Sequence, residues 1–115
     1  MEKGWIDYVV PQLYWEIGKK VADYEILAHW WAQFATDKCR LYIGMAPFHL
    51  GNEKGAAAWR EGNEICRQLR LNKTIPGITG ECYFRAIDLL ENRCNLTDSL
   101  KQEFYPTYVP APRKK

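Results

Sequence analysis

The stretch 12–16 reads QLYWE, and it follows an apolar, largely β-branched run, 6–10, that reads IDYVV. Gln12 offers a hydrogen-bond donor and an acceptor, and Tyr14 a hydroxyl on a flat ring. Trp15 offers a face on which the C–H surface of a sugar can stack. That mixture suits a carbohydrate subsite. The same side chains also suit plain structural work, with Gln12 bonded to nearby backbone and the rings in a core. His49, at the end of a second apolar segment, can hydrogen-bond a hydroxyl or simply be solvated. Tyr83 and Arg85 close a third segment. Three carboxylates are weak candidates for proton transfer: Glu16 beside Trp15, Glu81 within the third segment and Asp88 just beyond it. Burial would raise the pKa of Glu81 and let it act as an acid; a structural pairing with a Lys or Arg is the simpler role.

These side chains need elements to carry them. Three segments have strand length and composition: 6–14 (IDYVVPQLY), 40–46 (RLYIGMA) and 78–84 (ITGECYF). Helical spacing separates them. Val21, Tyr24, Leu27, Ala28 and Trp31 form one apolar stripe over 19–36, which makes Trp31 a core residue. Trp59, Ile65, Cys66 and Leu69 do the same over 56–71, with Gly62 marking a break or a late start near Asn63. A short last helix over 98–105 has Thr97 or Asp98 as its N-cap. The order βαβαβα implies right-handed crossovers and a parallel α/β sheet, buried on both faces. In such sheets ligand groups gather at the carboxyl ends of the strands. The change from Val9-Val10 to Gln12, Tyr14 and Trp15 falls at that end. Alternation puts Tyr8, Val10, Gln12 and Tyr14 on one face, and Val9, Pro11 and Leu13 on the other. In the third strand it groups Glu81, Tyr83 and Arg85, and this polar set is expected to face inward with Gln12 and Tyr14.

Composition excludes several function classes. At 115 residues, 47% hydrophobic and 14% aromatic, the chain has the size of one globular domain. A net charge of +2 and a single basic cluster, Arg113-Lys114-Lys115, leave no nucleic-acid footprint. The domain is expected over 1–108, with a Pro-rich basic tail over 109–115. No run of 18 apolar residues exists, so no membrane span is expected, and the first residues do not read as a leader peptide. Cys39, Cys66, Cys82 and Cys94 lack zinc-ligand spacing with each other or with His29 and His49, and read as mostly buried free thiols. No metal and no cofactor is expected: the loop 51–55 (GNEKG) matches no phosphate-binding pattern.

The stretches GWIDYVVPQLYW (4–15), LYIGMA (41–46), AAAWR and EICRQLRLNK (within 56–73), GITGECYF (77–84) and DSL with YP (within 98–106) resemble the glycosyl-hydrolase-like family 10. That resemblance covers nearly the whole chain. It implies a bacterial (β/α)8 barrel, secreted, periplasmic or lipid-anchored, and a carbohydrate ligand. A full barrel takes about 250 residues, so the resemblance implies the C-terminal three βα units alone. Such a piece exposes two sheet edges, which favours self-association or union with the rest of a barrel. Glu81 and Arg85 depart from the family pattern, which has small residues there. A glycosidase also needs two carboxylates roughly 5–10 Å apart. Only Glu16 with Asp88 offers such a pair here, on strands that would not be neighbours. The catalytic pair is therefore expected on strands outside this chain, leaving the chain inactive alone.

Overall fold

A computed structural model describes residues 3–52, 54–61, 63–107 and 110. The tail expected over 109–115 lies outside these residues apart from Pro110. Three strands, β1 (Tyr8–Val9), β2 (Arg40–Met45) and β3 (Ile78–Tyr83), form a parallel sheet in the order β1-β2-β3. The helices are α1 (Tyr24–Ala32), α2 (Ala57–Glu61), α3 (Glu64–Lys73), α4 (Ala86–Leu90) and α5 (Leu96–Ser99), the last running into a π-helical turn, Leu100–Phe104. A parallel α/β arrangement is what the alternating pattern required.

The first strand is shorter than expected, and Pro11 explains why. Tyr8 pairs with Arg40 and Val9 with Leu41, then pairing resumes as a single bridge from Gln12 to Gly44. A pair between Val10 and Tyr42 would need an N–H at position 11, which proline lacks. Beyond the gap the Gly44 N–H donates to Pro11 O at 2.8 Å and the Leu13 N–H to Gly44 O at 3.0 Å. The segment therefore stays in register to its tip. Gly44 permits this approach, since a Cβ there would meet Pro11 O at 3.0 Å.

The helical boundaries also move. Asp23 caps α1, its carboxylate accepting from the Glu25 N–H at 2.9 Å, so 19–23 is a turn and Val21 is 88% exposed, off the stripe. Tyr24 and Ala28 are buried and Leu27 and Trp31 pack against them. The expected break at Asn63 is present: its side chain caps α3 by accepting from Cys66 N–H. Thr97 and Asp98 lie inside α5 rather than capping it, because Asn95, at φ +60°, reverses the chain before it. Helix α4 was not legible in the sequence; Asp88 starts it by accepting from the Arg85 N–H at 3.2 Å. Cys39 and Cys66 are buried thiols, but Cys82 and Cys94 are exposed, against expectation.

One sheet face is covered and the other is open. Leu41, Ile43 and Met45 of β2 are fully buried against α1 and α3, with Leu13, Ile65, Leu69 and Leu96 completing the core. On the opposite face Tyr8 is 60% exposed, its ring edge-on to that of Tyr42 at 5.7 Å. The expectation of burial on both faces thus holds for the helical face alone. We predict that Ile43→Ala lowers unfolding free energy in urea by about 3 kcal/mol, the range for an emptied core site. Val21→Ala should shift it by under about 0.5 kcal/mol. Equal losses would contradict this core.

Candidate functional site

The carboxyl ends of all three strands end in an aromatic side chain, and the three rings meet. Tyr14 extends from β1, Phe48 opens the loop after β2 and Phe84 follows β3. Tyr14 and Phe48 are edge-on at 5.5 Å, Phe48 and Phe84 edge-on at 5.9 Å, and Tyr14 and Phe84 near-parallel at 6.5 Å. Aromatic pairs favour these geometries because the ring edge is positive and the face negative. Phe84 remains 55% exposed. Below the rings lies a row set by register, Gln12–Gly44–Cys82, with Gln12 and Cys82 exposed and Gly44 buried, the Val10 side chain 3.5 Å from where a Gly44 Cβ would stand. The result is an open sheet face with exposed Gln12 and Cys82, bordered at the strand tips by aromatic rings.

His49 flanks this cluster. Its ring lies 4.3 Å from that of Phe48 and 5.1 Å from that of Trp59. Burial between the two holds its pKa below the ordinary 6.5, opposed by the negative charge of Glu16. Tyr14 is shifted upward, first by burial and then by Cys82, so its hydroxyl stays a donor across the neutral range. Trp15 is 38% exposed at the next position. Arg85 holds its guanidinium 59% exposed, 3.8 Å from the Asp88 carboxylate.

Two side chains expected here lie elsewhere. Register pairs Glu81 with Ile43 and Tyr83 with Met45, both of which face the helices. A slip in pairing at the start of β3 causes this: Leu41 pairs with Ile78 but Tyr42 with Gly80. Cys82 and Phe84 therefore take the open face, and Glu81 and Tyr83 the covered one. Tyr83 packs on the core and shares a 3.1 Å hydrogen bond with the Tyr105 hydroxyl. Glu81 lines a separate cleft of about 570 Å³ with Asn72, Lys73 and Phe104. Burial raises its pKa there, Lys73 opposing.

The carboxylates are likewise dispersed. Asp88 is fully buried, with Arg93 Nε at 3.0 Å from Oδ1 and the Arg85 N–H on Oδ2, so its oxygens are turned to structure. Glu16 is 8% exposed, 3.8 Å from Lys19 Nζ, and stands on β1's loop, two strands away from Asp88. Among the described residues no group of three His, Cys, Asp or Glu could hold a metal ion, and no helix is long and apolar enough to cross a membrane. Phe48 and Phe84 were missed as site residues in the sequence; their signal was position alone, one aromatic just past each strand.

The fold and this rim define a parallel βα unit with an aromatic cluster at the carboxyl ends of its strands. The sequence pattern of the family described as Glycosyl hydrolase-like 10 matches residues 1–61. The chain belongs to that family. It is 35% identical over 113 residues to the glycosyl hydrolase YngK of Bacillus subtilis (strain 168), covering 96% of this chain and 22% of that protein. It is 38% identical over 90 residues to the glycosyl hydrolase DigH of Escherichia coli (strain K12), covering 74% and 20% respectively. The chain thus spans about a fifth of the length of these relatives.

The His49 shift carries a pH dependence. A folded pKa below 6.5 means the unfolded chain binds the proton more tightly, so His49 costs nothing above pH 6.5 and destabilises increasingly as pH falls below it. Urea unfolding at pH 7.5 and 5.5 (on the order of one unit either side of that value) should show a smaller stability loss in His49→Gln than in the parent. A His49 ring that titrates above 6.5 by NMR would contradict the burial between Phe48 and Trp59.

Proposed function

We propose that this chain forms the C-terminal three βα units of a glycoside-hydrolase-like (β/α)8 barrel and supplies one wall of its carbohydrate site. The convergence of Tyr14, Phe48 and Phe84 carries the reading: three strand tips share one rim, with ring pairs between 5.5 and 6.5 Å. Flat aromatic faces bind the C–H surface of a sugar, and Gln12, Trp15, His49 and Arg85 are the proposed partners for its hydroxyls and face. Gln12 and Tyr14 are the principal ligands. The relatives' names and the one-fifth span support a barrel portion, since a full barrel takes about 250 residues.

Chemistry needs the rest of the barrel. Glycoside hydrolysis uses two carboxylates roughly 5–10 Å apart across the scissile bond. Glu16 stands on the rim loop, while Asp88 is engaged by arginines, Glu81 lies under the sheet and the Glu64 carboxylate is occupied by Ile17 N–H, Arg67 and Gln68. The chain alone is therefore inactive, and its partners are a carbohydrate and the missing barrel strands. A glycan panel tests this directly. Activity is expected only when the chain is extended upstream by about 150 residues of barrel; turnover by the chain alone would overturn the division.

A second reading, a non-catalytic module that self-associates through its strand edges, draws on a separate observation. Trp5 is 86% and Tyr8 60% exposed at β1, an edge of the described sheet. Light scattering distinguishes the two states, because a stable monomer at high concentration would reject association through those edges. In the intact barrel, Gln12→Ala or Tyr14→Ala should weaken oligosaccharide binding about fivefold to tenfold, the worth of one hydrogen bond or ring contact. Unchanged affinity with an unchanged fold would remove both as ligands.

A further inference from the structure

The loop that carries the rim is held from below by two buried polar side chains of α3. Glu64 is 1% exposed, and its carboxylate accepts three hydrogen bonds: the Ile17 N–H at 2.8 Å, Arg67 Nε at 2.8 Å and Gln68 Nε2 at 3.1 Å. Gln68 is fully buried and its amide also donates to Trp15 O at 3.0 Å. Two main-chain groups, one either side of Glu16, are thus gripped by residues about fifty positions away in sequence. We propose that Glu64 and Gln68 are positioning residues for the rim, fixing the backbone of 15–17 and with it the Tyr14 and Trp15 rings.

The physical case rests on what such a pair costs. A buried carboxylate loses several kcal/mol of hydration and recovers it only through well-placed donors. Apolar side chains at positions 64 and 68 would extend the core beside Ile65 and Leu69 without that cost. What they could not do is accept from Ile17 N–H and donate to Trp15 O, which fixes a loop in both directions. The Gln68 carbonyl has no partner among the described residues, so its amide NH2 is the group in use. Arg67 extends the linkage by donating to Ala58 O at 3.1 Å, joining α2 to the same carboxylate. The loop also closes on itself, Lys19 and Tyr24 N–H donating to Glu16 O and Lys19 Nζ standing 3.8 Å from the Glu16 carboxylate.

The consequence for ligand affinity rests on the carbohydrate reading of the rim; the mechanical role does not. The test uses the full 115-residue chain. Glu64→Met keeps the length but removes both acceptor oxygens, and Gln68→Met keeps the length but removes the donor to Trp15. Amide exchange at Ile17 should quicken about tenfold or more in Glu64→Met, the effect of losing its hydrogen bond to the carboxylate. The fluorine resonance of 5-fluorotryptophan at Trp15 should shift or broaden in both variants. Exchange and resonance unchanged in folded variants would overturn the proposal. If Glu64→Met fails to fold, Gln68→Met decides through the Trp15 resonance alone. Where the parent binds a soluble oligosaccharide, affinity should fall about tenfold in either variant, and unchanged affinity would reduce the pair to a purely structural role. A parent that binds no sugar would refute the carbohydrate reading while exchange and fluorine shift still decide the clamp.

Discussion

Everything at the rim is referenced to β2, the middle strand. Leu41, Ile43 and Met45 are fully buried beneath it, and its main chain holds both neighbours in parallel register. Side chains of a strand alternate, so sealing one face against helices dictates what the other face shows. With Ile43 and Met45 committed to the core, Tyr42 and Gly44 must lie on the open side. Their register partners then bring Gln12, Gly80 and Cys82 there too. The open face is the remainder of a packing decision taken on the far side of the sheet.

Charge is arranged around that core with similar economy of position. Two carboxylates, Glu64 and Asp88, are buried, and each faces an arginine and main-chain donors. Glu64 ties the loop after β1 to α3, while Asp88 ties the end of β3 to Arg93, which in turn donates to Leu50 O after β2 at 3.4 Å. The three loops that carry Tyr14, Phe48 and Phe84 are therefore each linked to a buried ionic group, directly or through one arginine. Aromatic contacts alone would hold these rings loosely; the ionic anchors limit how far their backbones can drift. Removing one partner from such a group leaves an uncompensated buried charge, so each anchor is costly to break.

Much of this was legible in the sequence. Alternating apolar segments and helical stripes required a parallel α/β sheet, and the polar turn after Val9-Val10 marked the carboxyl end. Pro11 was visible too, but its effect on one specific ladder pair needed the register. Alternation holds from Gly80 to Tyr83; polarity points to the Glu81 and Tyr83 set as the inward one, whereas pairing with Ile43 and Met45 puts that set on the covered face. The slip between Leu41 and Tyr42 changes that phase, and no residue type announces it; Gly80, with the Tyr42 ring 3.2 Å from where its Cβ would be, is its nearest trace. The Glu64 and Gln68 clamp was hidden for another reason. Polar residues four apart on a helix normally mark a solvated face, and only the fold brings a loop from fifty positions away to cover them.

The central claim is that three strand tips form one aromatic surface that takes a sugar. Saturation-transfer NMR with a panel of soluble oligosaccharides tests it most directly, with the chain's aromatic protons irradiated. The account predicts transfer to sugar C–H protons that disappears when Tyr14, Phe48 and Phe84 are replaced together by leucine. Transfer that survives this replacement, and is lost instead when Trp30 on the outer side of α1 is changed, would contradict it.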